Sequence, residues 1–194
     1  MKQAGQIVVV FSFFAVLITS CKKENAGKEV FSINPQMLTS YAGKNWHYIS
    51  PDVENKKDYL YTTLNLGNTL AAISLPAIDP QTPGINYKVL FNVNQQNSVS
   101  VIHLETVGSL DVKTGNTLFL YYYENAFKQM ETVNRKWVTF NYSQTPPITV
   151  DELVAKLKSF NCEQPSVSFN NSRMNMEAIY SQNNGGFSFN IYAP

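Results

Sequence analysis

Apolar and polar residues alternate along much of this chain with a period of two, which is typical of a β-strand that buries one face. In the segment 87–93 the odd-numbered residues are all apolar or aromatic, whereas Lys88 and Asn92 lie on the other face. The segment 187–192 alternates in the same way and follows a turn rich in Asn and Gly at 183–186. Strands are predicted, in chain order, at 46–49, 59–66, 70–75, 87–93, 99–107, 118–123, 137–142, 174–182 and 187–192.

The segment 118–123 differs from the others because both of its faces are apolar or aromatic. That pattern predicts a central strand that is covered on each side. Its tyrosines, together with Trp46 and Trp137, can also supply stacking surfaces for a sugar or walls for an apolar pocket. The apolar pattern favours the protein core over a binding surface.

Two segments carry helix signals instead. Asn34 and Pro35 suit the cap and the first position of a short helix, which Gly43 can end. Thr149 and Glu152 have the spacing of a capping box. After this box, apolar residues recur at helical spacing: Leu153, Val154, Leu157 and Phe160.

These patterns together predict a mainly β (α+β) fold. Its core element is an antiparallel sheet, barrel- or sandwich-like, with one amphipathic helix near 150–160 and a C-terminal hairpin. No internal repeat or break in composition divides the chain, so residues 34–194 are expected to form a single β-rich domain.

The first 21 residues have the pattern of a secretory signal. Lys2 is followed by an apolar run at 7–19, which is shorter than the about 20 residues that a membrane-spanning helix needs. The ending Leu17-Ile18-Thr19-Ser20-Cys21 resembles the lipobox of bacterial lipoproteins. This resemblance implies a signal peptide at 1–20, palmitate-type acylation of Cys21, and a lipid-anchored tether at 21–33.

The lipobox resemblance also implies a location. In bacterial lipoproteins an aspartate after the acylated cysteine favours retention at the inner membrane, and Lys22 stands at that position here. We therefore expect the protein at the cell outer membrane, facing either the periplasm or the cell surface.

A second, shorter resemblance lies at the start of the domain. A short helix followed by Gly43-Lys44-Asn45-Trp46 is similar to the entry of a lipocalin-like barrel, although lipocalins usually have one residue fewer between glycine and tryptophan. This resemblance implies a carrier of a small apolar ligand.

Charge and cysteine content exclude several functions. The 15 basic and 14 acidic side chains become equal in number once Lys2 leaves with the signal, and no basic stripe suited to nucleic acid is present. Acylation of Cys21 would leave Cys162 without an intramolecular disulfide partner. We interpret Cys162 as a half-buried small hydrophobe rather than as a catalytic thiol.

His103 and Glu105 are the one histidine–acid pair at strand spacing, so both can reach one metal ion or one substrate proton. The switch in apolar face between Val101 and Ile102 indicates a β-bulge that turns this pair outward to solvent. A zinc site would need a third ligand, and His47 has no argued relation to the pair. We therefore predict an exposed strand pair, with no metal and no cofactor.

The sequence favours a non-catalytic module that binds a ligand or a neighbouring protein at the cell envelope. The chain has no Gly-x-Ser-x-Gly elbow, phosphate loop or paired cysteine motif. The alternatives are an envelope hydrolase that uses His103 and Glu105, and a lipocalin-like carrier of a small apolar ligand.

Replacing Cys21 with Ala should abolish acylation, because the substitution removes the thiol that would carry the lipid. Metabolic labelling with radioactive palmitate, with the unmodified chain as reference, measures this. Label retained by the Cys21→Ala protein would contradict the assignment.

Overall fold

The computed structural model describes residues 30–54, 60–62, 69–128, 138–141, 150–160 and 162–193. Its strands are β1 (Phe31–Ser32), β2 (Leu60–Thr62), β3 (Thr69–Ile78), β4 (Asn86–Asn94), β5 (Val99–Thr106), β6 (Val138–Asn141), β7 (Ser166–Asn170), β8 (Asn175–Ser181) and β9 (Gly186–Tyr192). Its α-helices are α1 (Pro35–Tyr41), α2 (Ser50–Glu54), α3 (Val112–Tyr122) and α4 (Val150–Lys158). A 3₁₀ turn covers Trp46–Tyr48, and a π-helical turn at Tyr123–Phe127 extends α3.

All nine strands belong to one sheet in the order β1-β3-β4-β5-β9-β8-β7-β6, and β2 also pairs with β3. The pairs are antiparallel, as predicted, except that β1 runs parallel to β3. Within the described residues no pairing joins β1 or β2 to β6, so the sheet is open. The prediction of a mainly β (α+β) fold is confirmed. The prediction that the sheet is barrel- or sandwich-like is not confirmed.

One face of the sheet forms the core beneath the helices. The alternation predicted for β4 is confirmed, because Tyr87, Val89, Phe91 and Val93 are all buried. The opposite face is mostly polar and largely open to solvent over β4, β5, β8 and β9. Its partly or fully exposed residues include Lys88, Asn92, His103, Glu105, Glu177 and Ser188.

The prediction of a strand at 118–123 is wrong, because these residues form the end of α3 and the start of the π-helical turn. The Asp111 side chain accepts a hydrogen bond from the Thr114 backbone N–H and so caps this helix. The helix then buries residues at helical spacing: Gly115, Asn116, Leu118, Phe119 and Tyr122. Aromatic residues favour strands intrinsically, and tertiary packing overrides that preference here.

The prediction of a strand at 46–49 is also wrong, because Trp46–Tyr48 forms a 3₁₀ turn. The other helix predictions agree with the structure except at Phe160, which follows the end of α4, has a φ of +56° and is 41% exposed. Asn34 caps α1 through the Met37 N–H, Pro35 is its first residue, and α4 lies at the predicted position. Thr149 of the proposed capping box lies outside the described residues, as do Trp137 and the signal segment at 1–20.

A bulge is present in β5 as predicted, but it lies at Ser100, before Val101 rather than after it. Val93 pairs with Val99 and Asn92 pairs with Val101, so Ser100 is an extra residue opposite the β4 ladder. After this bulge Ile102 and Leu104 are buried. The C-terminal hairpin is confirmed as well, since β8 and β9 pair directly across the 182–185 turn.

Strand β1 lies in the last residues of the segment expected to be a tether. Phe31 pairs with Ala77 and is buried, and Ile33 N–H donates to the Ile78 carbonyl at 2.9 Å. The chain therefore enters the domain along the edge of β3. Among the described residues, no helix has both the length and the hydropathy needed to cross a bilayer.

Helix α3 approaches the sheet closely at Gly115. A Cβ atom at this position would overlap with ring atoms of Tyr180 on β8. The next residue, Asn116, is held by two hydrogen bonds to Cys162. Its side-chain N–H donates to the Cys162 carbonyl at 2.8 Å, and its side-chain oxygen accepts from the Cys162 N–H at 3.1 Å. The absence of a side chain at Gly115 therefore allows this helix to pack on the sheet.

Gly115→Ala should destabilise the domain by about 1–3 kcal/mol, because overpacking outweighs the roughly 1 kcal/mol that alanine adds to a helix. Urea denaturation measures the change in unfolding free energy. In a Tyr180→Ala background the same substitution should be neutral or stabilising. An equal loss in both backgrounds would show that the Tyr180 ring is not the cause.

Candidate functional site

A cleft of about 530 Å³ lies between the β3–β4 turn at 79–85 and the outer side of α3. Three of its lining residues are apolar, and the others carry hydroxyl, amide or ammonium groups. The lining residues are Gln81, Thr82, Pro83, Ile85, Lys113, Thr114, Thr117, Leu118 and Tyr121. Clefts of this size and mixed polarity are typical of small-molecule sites.

Asp79 shapes the turn side of the cleft. Its side chain accepts a hydrogen bond from the Gln81 N–H at 2.9 Å, and its carbonyl accepts one from the Thr82 N–H at 3.0 Å. Gly84 closes the turn with φ of +84°, a conformation that glycine adopts without strain. The Asp, Pro and Gly content of 79–84 is typical of such a turn.

Tyr121 joins the helix to this turn. Its hydroxyl donates to Asp79 Oδ2 at 2.9 Å, and Asp79 itself is 1% exposed. Burial, followed by the hydrogen bond to Asp79, raises the pKa of Tyr121. The carboxylate therefore holds one wall of the cleft against the other, and Tyr121 acts as a neutral hydroxyl.

A second tyrosine supports the same turn from below. Tyr87 is buried in β4, and its hydroxyl oxygen lies 2.6 Å from Thr82 Oγ1. Burial raises the pKa of Tyr87. The Thr82 hydroxyl is thus already paired, and its position at the cleft rim is fixed by the sheet.

The helix side of the cleft is held by the cap of α3. Asp111 accepts from the Thr114 N–H at 2.8 Å and from Thr114 Oγ1 at 3.0 Å, and these bonds lower the pKa of Asp111. Thr117 Oγ1 donates to the Lys113 carbonyl at 2.8 Å. The Lys113 ammonium lies 5.4 Å from the ring centroid of Phe160, within cation–π range.

The predicted histidine–acid pair lies away from the cleft, on the open face of the sheet. His103 Nδ1 is 2.5 Å from Asn190 Oδ1, and His103 Nε2 is 3.5 Å from Glu105 Oε2. Lys88 Nζ lies 3.5 Å from Glu105 Oε1. The prediction that the bulge turns this pair outward is confirmed. Among the described residues, no group of three or more His, Cys, Asp or Glu side chains could hold a metal ion.

Cys162 is more deeply buried than the sequence suggested. It is 0% exposed, and burial raises the pKa of its thiol to about 11, so the thiolate needed for nucleophilic attack is disfavoured. It packs in the core beside α3, whereas Cys21 lies outside the described residues.

The aromatic residues at 121–123 divide between core and cleft. Tyr122 and Tyr123 are buried, as the core interpretation predicted, while Tyr121 is partly exposed and lines the cleft. Sequence reasoning missed the cleft because it assigned 118–123 to a strand. The usable signal was Asp111 at a cap position, followed by buried residues three or four apart.

Comparison of the chain with models of protein families, with curated proteins and with solved structures finds no match. The site is therefore interpreted from its own geometry.

Tyr121→Phe should lower the free energy of unfolding by about 1–3 kcal/mol, because it removes a hydrogen-bond donor from the buried Asp79 carboxylate. Urea denaturation measures this loss. Tyr48→Phe is the matched control, since Tyr48 is 77% exposed and its hydroxyl loss should change stability by less than about 0.5 kcal/mol. Equal effects of the two substitutions would contradict the proposed role of the Tyr121–Asp79 bond.

Proposed function

We propose that this protein is a lipid-anchored, non-catalytic binding protein of the cell envelope that holds a small molecule in the cleft between the β3–β4 turn and α3. The observation that carries the proposal is the cleft itself. It combines a volume of about 530 Å³ with a lining of apolar side chains and several polar groups.

The cleft is preorganised for binding. Asp79 fixes the turn and accepts from Tyr121, and Asp111 fixes the start of the helix. Hydrogen bonds that order these walls before a ligand arrives reduce the entropy lost on binding.

The lining favours binding over acid–base chemistry. Lys113 and Tyr121 are its ionisable side chains, and the Tyr121 hydroxyl proton is committed to Asp79. The hydrolase alternative depends instead on His103 and Glu105, which lie on the opposite face of the sheet from α3. Alanine at both positions should leave binding in the cleft unaffected.

The lipid anchor supports a role close to a membrane. If Cys21 is acylated, residues 22–30 connect the lipid to β1 and span at most about 30 Å when fully extended. Because Ile33 bonds to the Ile78 carbonyl, the chain enters beside the turn that forms the cleft. This arrangement would keep the cleft near the bilayer surface, at the outer membrane in our proposal.

The lipocalin-like alternative would place an apolar ligand inside a closed barrel. The cleft lies outside the sheet, between a turn and a helix, and its lining includes hydroxyl, amide and ammonium groups. These two features favour the cleft as the ligand site.

Thr117→Trp should abolish ligand retention, because the indole would occupy the cleft. Native mass spectrometry of the full-length protein, purified from its own host in detergent, should show a small non-covalent mass on the unmodified chain. That mass should be nearly absent from Thr117→Trp. Lys158→Trp, at an exposed position of α4, is the matched control and should retain it. Retention by both variants would contradict ligand binding in the cleft.

A further inference from the structure

The charges around the cleft disfavour an ionic ligand. Lys113 is the one basic side chain in the lining. It is opposed by Asp111, two residues earlier at the helix cap, and by the Asp79 carboxylate behind the Tyr121 hydroxyl. An anionic ligand would lie near two carboxylates and only one ammonium group. A cationic ligand would lie near the Lys113 ammonium, which would repel it.

The hydrogen bonds that the hydroxyls of the lining already make restrict which groups a ligand can present to them. Thr114 Oγ1 donates to Asp111, Thr117 Oγ1 donates to the Lys113 carbonyl, and the Tyr121 hydroxyl donates to Asp79. A hydroxyl has one proton to donate and two lone pairs to accept with. These three groups therefore present acceptor lone pairs to the cleft, and a ligand must bring hydrogen-bond donors to them.

The remaining polar groups require acceptors on the same ligand. The Lys113 ammonium is a donor without acceptor capacity, and the Gln81 side-chain amide can donate as well as accept. Neutral hydroxyl groups satisfy both requirements, since each one donates and accepts. Charged carboxylates only accept, and ammonium groups only donate.

The apolar part of the lining lies beside these polar groups. Pro83 and Ile85 of the turn and Leu118 of the helix form the apolar surface of the lining. A ligand that contacts both parts has hydroxyls on one side and C–H groups on the other.

We propose that the cleft binds a neutral carbohydrate of one or two rings, with its C–H face on the apolar surface and its hydroxyls on the threonine acceptors. This inference rests on the proposed binding function and narrows its ligand class. The inference depends on the hydrogen bonds of the lining hydroxyls and on the charges of Lys113, Asp111 and Asp79.

The test uses full-length protein, ¹⁵N-labelled at threonine, in a detergent without a sugar headgroup. Glucose, galactose and mannose are titrated, each beside its uronate and its amino-sugar counterpart, which keep the ring and change the charge. At least one neutral hexose should shift the Thr114 and Thr117 signals saturably. Its two charged counterparts should bind at least about tenfold more weakly.

Two substitutions test the acceptor role of the Thr117 hydroxyl. Thr117→Val keeps the shape of the side chain and removes the oxygen, so affinity for the hexose should fall about tenfold. Thr117→Ser keeps the oxygen and should bind as the unmodified chain does. Equal affinity of all three chains would overturn the proposed hydrogen-bonding scheme.

The outcomes separate this inference from the proposed function. Tighter binding of a uronate or an amino sugar, or saturable shifts from an apolar probe such as indole without any from the hexoses, would overturn the carbohydrate assignment and leave ligand binding intact. If neither the hexoses nor indole shift the threonine signals, and native mass spectrometry shows no retained mass, both proposals fail.

Discussion

The fold depends on covering the single apolar face of its sheet with helix α3. Tyr122 packs against Phe187 and Phe189 on β9, with ring centroids 4.8 and 5.1 Å away, and Gly115 lets the helix approach the Tyr180 ring. Burial of these aromatic surfaces is the main favourable term in such a layer. The same contacts set the position of the cleft, because the outer side of α3 is one of its walls.

Asp79 connects this packing to the cleft. A carboxylate that is almost fully buried is costly unless its oxygens are hydrogen-bonded, and here one oxygen accepts from a turn N–H and the other from Tyr121. The bonds join the end of β3 to the far end of the helix in the cleft wall. Turn and helix therefore keep their spacing whether or not a ligand is present.

Strands β4, β5, β8 and β9 could be predicted because each has one buried face, and period-two alternation records that directly. Strands β1 and β7 were not predicted. Helix α3 could not be recognised in the same way, since the aromatic run at 118–123 has the composition of a buried strand and its cap at Asp111 lies outside the run. The cleft depends on that helix meeting a turn some 30 residues earlier in the chain. A contact between segments so far apart in the chain leaves no local sequence pattern. The outward position of His103 and Glu105 could be predicted, because it follows from the bulge alone.

The bulge at Ser100 also affects how this strand tolerates changes in chain length. Deleting a residue elsewhere in β5 would shift the rest of the strand by one and exchange its buried and exposed faces. Ser100 is the residue without a partner in the β4 ladder, so its deletion would leave both flanking registers intact. The losses would be the bond that its carbonyl accepts from the Ala193 N–H and the bond that its hydroxyl donates to the Asn92 carbonyl. Deleting Ser100 should therefore affect the protein as a point substitution does, because the register of the strand is unchanged.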